Sequence, residues 1–97
     1  MGSSQLKDIK EEITVKLKYL TVVRDMTGLR EECINFPMGS TLQEVAVWLR
    51  ENHGLSLPDP GIMTILNGKG WGQFPTGLAT QIKEGDVICL FPPISGG

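Results

Sequence analysis

The residues of this chain best suited to chemistry stand at its end: Phe91-Pro92-Pro93-Ile94-Ser95-Gly96-Gly97. Gly96 and Gly97 carry no side chains, so their backbone can enter a channel closed to bulkier residues and approach a ligand closely. What they present is a carboxylate. A carboxylate can attack the α-phosphate of ATP to give an acyl-adenylate, and that activated carbonyl can accept sulfur or an amine. Pro92-Pro93 stiffens the root of the tail in an extended form. A frayed end that happens to read Gly-Gly is the plain alternative. Glycines placed directly after an apolar strand and Pro-Pro argue against it.

Other candidate chemistry is thinner. Cys33 and Cys89 form no CxxC, and His53, the one histidine, cannot complete a zinc set with them. They read as two reduced, unlinked thiols. A Cys–His pair with His53 is possible by residue type, but nothing in the spacing supports it. Asn67-Gly-Lys-Gly-Trp-Gly72 lacks the GxxxxGK[ST] spacing of a phosphate loop and reads as a hairpin turn. There is no Ser–His–Asp set and no pair of carboxylates placed for acid–base work. The chain therefore reads as a carrier or subunit, not an enzyme alone, with no bound cofactor and no metal; ATP belongs to an activating partner.

Composition narrows the classes further. The chain has 97 residues, a net charge of −2 and 40% apolar residues. That length gives one small core. No block of Lys or Arg offers the basic stripe that nucleic acid requires. No apolar run reaches bilayer length, and the N-terminus has no signal-peptide h-region, so the expectation is a cytoplasmic protein that binds neither nucleic acid nor membrane.

The elements that must position the tail follow from periodicity. Residues 1–12 are polar and charged and read as a loose leader, with a short helical turn at 6–12 as the alternative. Residues 13–23 begin with strict alternation (Ile13, Val15, Leu17 and Tyr19 against Thr14, Lys16 and Lys18), which makes a half-buried strand. Arg24-Asp25-Met26-Thr27-Gly28 breaks it as a turn. Arg24 is a solvated turn charge or a cation for a partner's carboxylate. Residues 29–36 make a second strand, stopped by Pro37, which cannot donate to a ladder.

Thr41-x-x-Glu44 fits a capping box and opens a helix over about 41–52, with Leu42, Val45, Ala46 and Leu49 as its apolar stripe and Trp48 at the edge. Gly54 provides the left-handed stop. Residues 55–61 are loop, and 62–66 a third strand ending in the tight turn Asn67-Gly68. The Gly-rich stretch 69–77 holds Trp71, which either anchors a partner or folds over the core edge. Residues 78–82 make a short strand or turn. Residues 87–91, continuously apolar, make a central strand covered on both faces.

The order is thus β-β-α-β-(β)-β: one mixed sheet of four to five strands with a single main helix on one face, an α+β fold with the outline of a β-grasp domain. The domain spans 13–93, followed by a flexible tail at 94–97. The helix stripe meets Val15, Leu17, Ile34, Phe36, Ile88 and Leu90. Val87, Cys89 and Phe91 then line the opposite face, where an apolar patch needs a partner or a cover. In this order the first strand lies between those of Cys33 and Cys89. Two strand spacings put them about 10 Å apart, beyond the ~7 Å reach of a disulfide.

A resemblance emerges from these residues. Gly77-Leu-Ala-Thr-Gln-Ile-Lys-Glu-Gly-Asp86 followed by Val-Ile-Cys-Leu-Phe-Pro-Pro-Ile-Ser-Gly-Gly97 resembles the C-terminal signature of the MoaD/ThiS sulfur-carrier family. Arg24-Asp25-x-x-Gly28 is similar to that family's Leu-Arg-Glu-x-x-Gly segment. Gly39-Ser-Thr-Leu-Gln-Glu-Val45 and Asn67-Gly68 fall where the family starts its helix and turns its hairpin. The likeness covers about residues 13–97.

The resemblance implies a ubiquitin-like β-grasp protein adenylated at Gly97 by an E1-like enzyme and converted to a thiocarboxylate. In the molybdopterin branch, which the Phe-Pro-Pro root favours, the carrier is the small subunit of molybdopterin synthase. Its tail enters the large subunit, and Phe91, Pro92, Pro93, Ile94 and Ser95 form the partner-binding root. Carriers for thiamine or cysteine synthesis, and protein modifiers conjugated through the last glycine, share the same activation chemistry. Val87, where the family often has an acidic residue, and the loop Gly70-Trp-Gly-Gln-Phe-Pro75 depart from the pattern.

Overall fold

A computed structural model describes residues 11–93. Strand β1, Glu12–Tyr19, alternates buried and half-exposed residues along its length, as the sequence requires. Its first residue lies inside the stretch read as leader: Glu12 pairs with Pro37 across the sheet, and the Glu11 carbonyl accepts the Met38 N–H at 2.7 Å.

The first departure from expectation comes at Thr21. The strand does not continue to Val23. The backbone reverses at Thr21 (φ 50°), and Val22–Thr27 form a short helix, α1, capped by Gly28 at φ 79° with its N–H on the Arg24 carbonyl. Val22 and Val23 have strand propensity, but only Val23 reaches the core, so one buried contact and a glycine stop decide the local structure.

Strand β2, Glu31–Pro37, runs antiparallel to β1 and includes Pro37 as its last residue. Pro37 is tolerated there because β2 is the sheet edge. Helix α2, Leu42–His53, starts where the capping pattern places it. Glu44 Oε1 accepts both the Thr41 N–H at 2.6 Å and its hydroxyl at 2.7 Å, and those two bonds hold the Glu44 pKa below the usual carboxylate range. The helix ends at Gly54, φ 69°.

Strand β3, Met63–Leu66, and the two-residue β4, Lys69–Gly70, close around Asn67-Gly68, whose φ values of 50° and 87° make the left-handed two-residue turn that Asn-Gly favours. Asn67 also grips the next strand. Its side-chain oxygen accepts the Val87 N–H at 2.9 Å, and its side-chain nitrogen donates to Asp86 at 3.0 Å. Two 3-10 turns, Trp71–Gln73 and Gly77–Ala79, fill the stretch before strand β5, Val87–Phe91.

The five strands form one mixed sheet in the order β2-β1-β5-β3-β4, with β5 parallel to β1 and antiparallel to β3. Helix α2 lies across one face. Val15, Leu17, Val45, Leu49, Ile88 and Leu90 are fully buried between them. This is the expected α+β β-grasp architecture, with the helix stripe meeting the inward residues of β1, β2 and β5.

One expectation needs correction, and one left open is decided. β5 is central but not covered on both faces: Ile88 and Leu90 are buried, while Val87, Cys89 and Phe91 are only half-buried. Among the described residues the chain supplies one helical layer and no element over the other face. Of the two readings of Trp71, the fold onto the core is the one observed. The residue is 5% exposed and belongs to the core, with its indole N–H unpaired among the described residues.

Candidate functional site

The tail and its surroundings are positioned by the sheet. β5 ends at Phe91 and passes directly into Pro92, half-buried, and Pro93, exposed. Ile94, Ser95, Gly96 and Gly97 lie outside the described residues. The last strand is held from both sides: Leu90 pairs with Tyr19 of β1 and Thr64 of β3, and Phe91 with Met63. The Leu20 N–H adds a bond to the Leu90 carbonyl at 3.0 Å. The root of the tail is therefore anchored at the middle of the sheet rather than at a loose edge.

The face opposite α2 carries the apolar strip that alternation predicts. Phe91 and Cys89 lie opposite Met63 and Ile65, so these four residues and Val87 share one face. Met63 is 43% exposed, and Ile65 is half-buried. On the far side of β5, Lys16 and Lys18 face Val87 and Cys89 in register. The uncovered face is thus apolar beside the tail root and cationic toward β1. Leu20, Val22 and Met26, each about half exposed, extend the apolar surface around the same end of the sheet, because α1 packs where β1 and β5 both finish. Met63, Ile65 and Leu20 were not singled out from sequence. Their signal was the alternation of β3 against β5, readable only once the pairing is known.

The remaining candidates fall elsewhere. Cys33 is exposed on β2 and Cys89 half-buried on β5; both are unpaired, with β1 between their strands. His53 is not paired with either thiol. Its Nε2 lies 2.6 Å from Glu32 Oε2, and the same oxygen accepts the Tyr19 hydroxyl at 2.6 Å. The ring sits edge-on to both Tyr19 and Trp48. Burial, with the Glu32 carboxylate added, pushes the Tyr19 hydroxyl well above its ordinary range and keeps it a neutral donor. His53 thus latches the end of α2 to β2. No group of three or more His, Cys, Asp or Glu among the described residues is placed to hold a metal ion. No helix among them is long and apolar enough to cross a membrane.

A β-grasp sheet whose central last strand feeds a Gly-Gly tail, beside an uncovered apolar face, defines a small ubiquitin-like protein of the sulfur-carrier or modifier kind. The ThiS family model matches residues 17–97, and the chain belongs to that family. Solved structures agree on the fold. A molybdopterin-converting-factor subunit 1 candidate from Pyrococcus furiosus is 24% identical, with TM-score 0.70, covering 84% of this chain and 99% of that one. The small archaeal modifier protein 1 from Methanosarcina acetivorans is 23% identical, with TM-score 0.69, covering 91% and 100%. A chain in the complex of subunits 1 and 2 of the molybdopterin-converting factor from Helicobacter pylori is 27% identical, with TM-score 0.57, covering 88% and 100%. No curated protein sequence matches the chain.

Proposed function

We propose that this protein is a sulfur carrier that works through the carboxylate of Gly97. In the first step a Gly97 carboxylate oxygen attacks the α-phosphorus of ATP on an E1-like partner, pyrophosphate leaves, and the terminus becomes an acyl-adenylate. A sulfur nucleophile then displaces AMP, and the terminus becomes a thiocarboxylate. Delivery of that sulfur takes place in a second partner. The Phe-Pro-Pro root and the Helicobacter pylori two-subunit complex favour a molybdopterin-synthase large subunit and the molybdenum or tungsten cofactor pathway.

The observation that carries this reading is that the family match runs through residue 97, taking in the Gly-Gly end. The structure adds the support of position. Phe91, Pro92 and Pro93 leave the sheet beside an apolar strip that the chain leaves uncovered, a surface that a partner would close as the tail enters its channel. Ile94 and Ser95 continue that root, and Gly96 and Gly97 supply the bare backbone that a narrow channel accepts.

The test is intact-mass measurement after incubation with ATP, a sulfur donor and the cognate E1-like enzyme. The expected result is one oxygen replaced by sulfur on the last residue, abolished by deleting Gly97 while the fold is kept. An isopeptide bond from Gly97 to a lysine would make the chain a modifier instead. Delivery to a thiazole- or cysteine-forming enzyme would move it to another pathway. A terminus left unchanged by an enzyme demonstrably active on another carrier refutes the reading.

A further inference from the structure

Lys18, Arg24 and Arg30 are separate in sequence but line one open cleft of about 230 Å3, walled by Tyr19 and Leu20, with Glu31 its only acid. Lys18 comes from β1, Arg24 from α1, and Arg30 from the link into β2. None of the three cations is in an ion pair among the described residues. Glu31, across the ladder from Lys18 and 3.7 Å from Lys16, offsets one of these charges and leaves the cleft net positive. The cleft is therefore a local positive centre on a chain whose net charge is −2.

Its place matters as much as its charge. Leu20, which walls the cleft, bonds through its N–H to the Leu90 carbonyl at 3.0 Å, one strand away from the segment that becomes Phe91-Pro92-Pro93. A partner that docks at the end of β5 comes within reach of this cleft, since Leu20 is bonded to Leu90. Where that partner covers the cleft, it must supply negative groups or bury cations without partners, which is costly. The volume lies below the ~300–1,000 Å3 of a small-molecule site, so the cleft suits a few side chains rather than a nucleotide. Three cations also fall short of the roughly 6–10 phosphate contacts through which nucleic-acid binders hold on.

We infer that this cleft receives an acidic segment of the protein that takes the tail. One or two Asp or Glu carboxylates seat against Arg24, Arg30 and Lys18, and a neighbouring apolar residue covers Leu20. The inference rests on the carrier reading above only in naming that protein as the one that handles the tail. The positive cleft orients the carrier on its partner and the apolar strip under Phe91 holds it, a division in which charge governs the rate and direction of encounter.

The first arm of the test uses hexaglutamate as the probe and needs no partner. Amide chemical shifts of the full chain are followed at low and at high salt. The expected shifts concentrate at residues 18–31 and fade at high salt. Arg24→Glu weakens the affinity about tenfold, whereas Lys83→Glu, which makes the same change in net charge in a turn at the other end of β1, leaves it within about twofold. Shifts spread equally over Lys69 and Lys83, or equal losses in the two variants, would overturn the inference. Tighter binding of an oligothymidylate to the same residues would overturn it in favour of nucleic acid.

The second arm measures adenylation of the terminus by the cognate enzyme. Arg24→Glu should lower kcat/KM about tenfold with a weaker salt dependence, and Lys83→Glu should not. An unchanged rate in Arg24→Glu overturns the inference. If the wild-type terminus is never activated while hexaglutamate still finds residues 18–31, the carrier reading fails and the cleft stands.

Discussion

Leu90 and Phe91 are adjacent in β5 and point to opposite faces, which makes them a matched pair for separating folding from partner binding. Leu90 is fully buried against the helix layer, so Leu90→Ala leaves a cavity in a closed core and should cost ~2–5 kcal/mol. For a domain of this size each kcal/mol lowers Tm by about 4–8 °C, so the loss should be about 8–40 °C. Phe91 is half-buried on the uncovered face. Truncating it leaves no closed cavity, so its loss stays within the transfer term of at most ~3 kcal/mol, and its Tm should fall less than that of Leu90→Ala, which loses a comparable term and leaves a cavity besides.

Binding should reverse that order. An aromatic anchor at the centre of an interface contributes ~2 kcal/mol or more, about a 30-fold loss of affinity in Phe91→Ala. The assay is a thermal melt of each variant together with titration against the purified partner, corrected to folded protein at the working temperature. If Phe91→Ala melts as early as Leu90→Ala while affinity per folded molecule stays at the wild-type value, Phe91 is a core residue and the docking face lies elsewhere.

The other expectations are more compact. Gly96→Ala should melt as the wild type does but form thiocarboxylate slowly, because a Cβ meets the walls of a channel built for bare backbone; equal rates by intact-mass time course would remove Gly96 from the site. Trp71→Phe should stay within about 1 kcal/mol of wild type, since the lost ring volume is offset by removing a buried N–H that has no partner among the described residues. A melt as low as that of Trp71→Ala would show that the indole N–H is satisfied after all. The Glu44 pKa is held below the usual carboxylate range by the Thr41 hydrogen bonds, so its contribution is present above the unfolded-state value of about 4.3 and is lost as pH falls through the lower folded value. The Tm difference between wild type and Glu44→Ala should therefore shrink on acidification from neutral pH, and a difference independent of pH would refute the capping role.

Where a single local rule governs, the residues themselves were readable. Alternation from Ile13 to Tyr19 set the strand and its buried face. Thr41 and Glu44 set the start of the helix, and Asn67-Gly68 set a turn whose φ values only such a pair accepts with ease. Two features resisted because their causes are not local. Val87–Phe91 is apolar on both faces, and a buried parallel strand reads the same way. The structure distinguishes the two because, among the described residues, only one face is covered by a helix, and Phe91 and Cys89 stand on the other. The chemistry of the tail is proposed from the sequence alone, because Gly96 and Gly97 are defined by the side chains they lack.

The stretch Thr21–Arg30 carries the second lesson. Val22 and Val23 favour a strand, and six helical residues are too few to show a period. Had the strand continued, Arg24 would have stood on its extended line, away from Lys18 and Arg30. The reversal at Thr21, in a backbone region that a β-branched residue adopts only when its surroundings over-determine it, turns the chain back so that Val23 enters the core. Gly28 then returns it to β2. Those two turns gather three cations, scattered among mixed charges in the sequence, around one cleft near the end of β5. A surface charge pattern of this kind follows from backbone reversals rather than from spacing. It becomes visible when the short helix does, and the strained residue that creates it is the one most worth defending in any variant meant to keep the docking face intact.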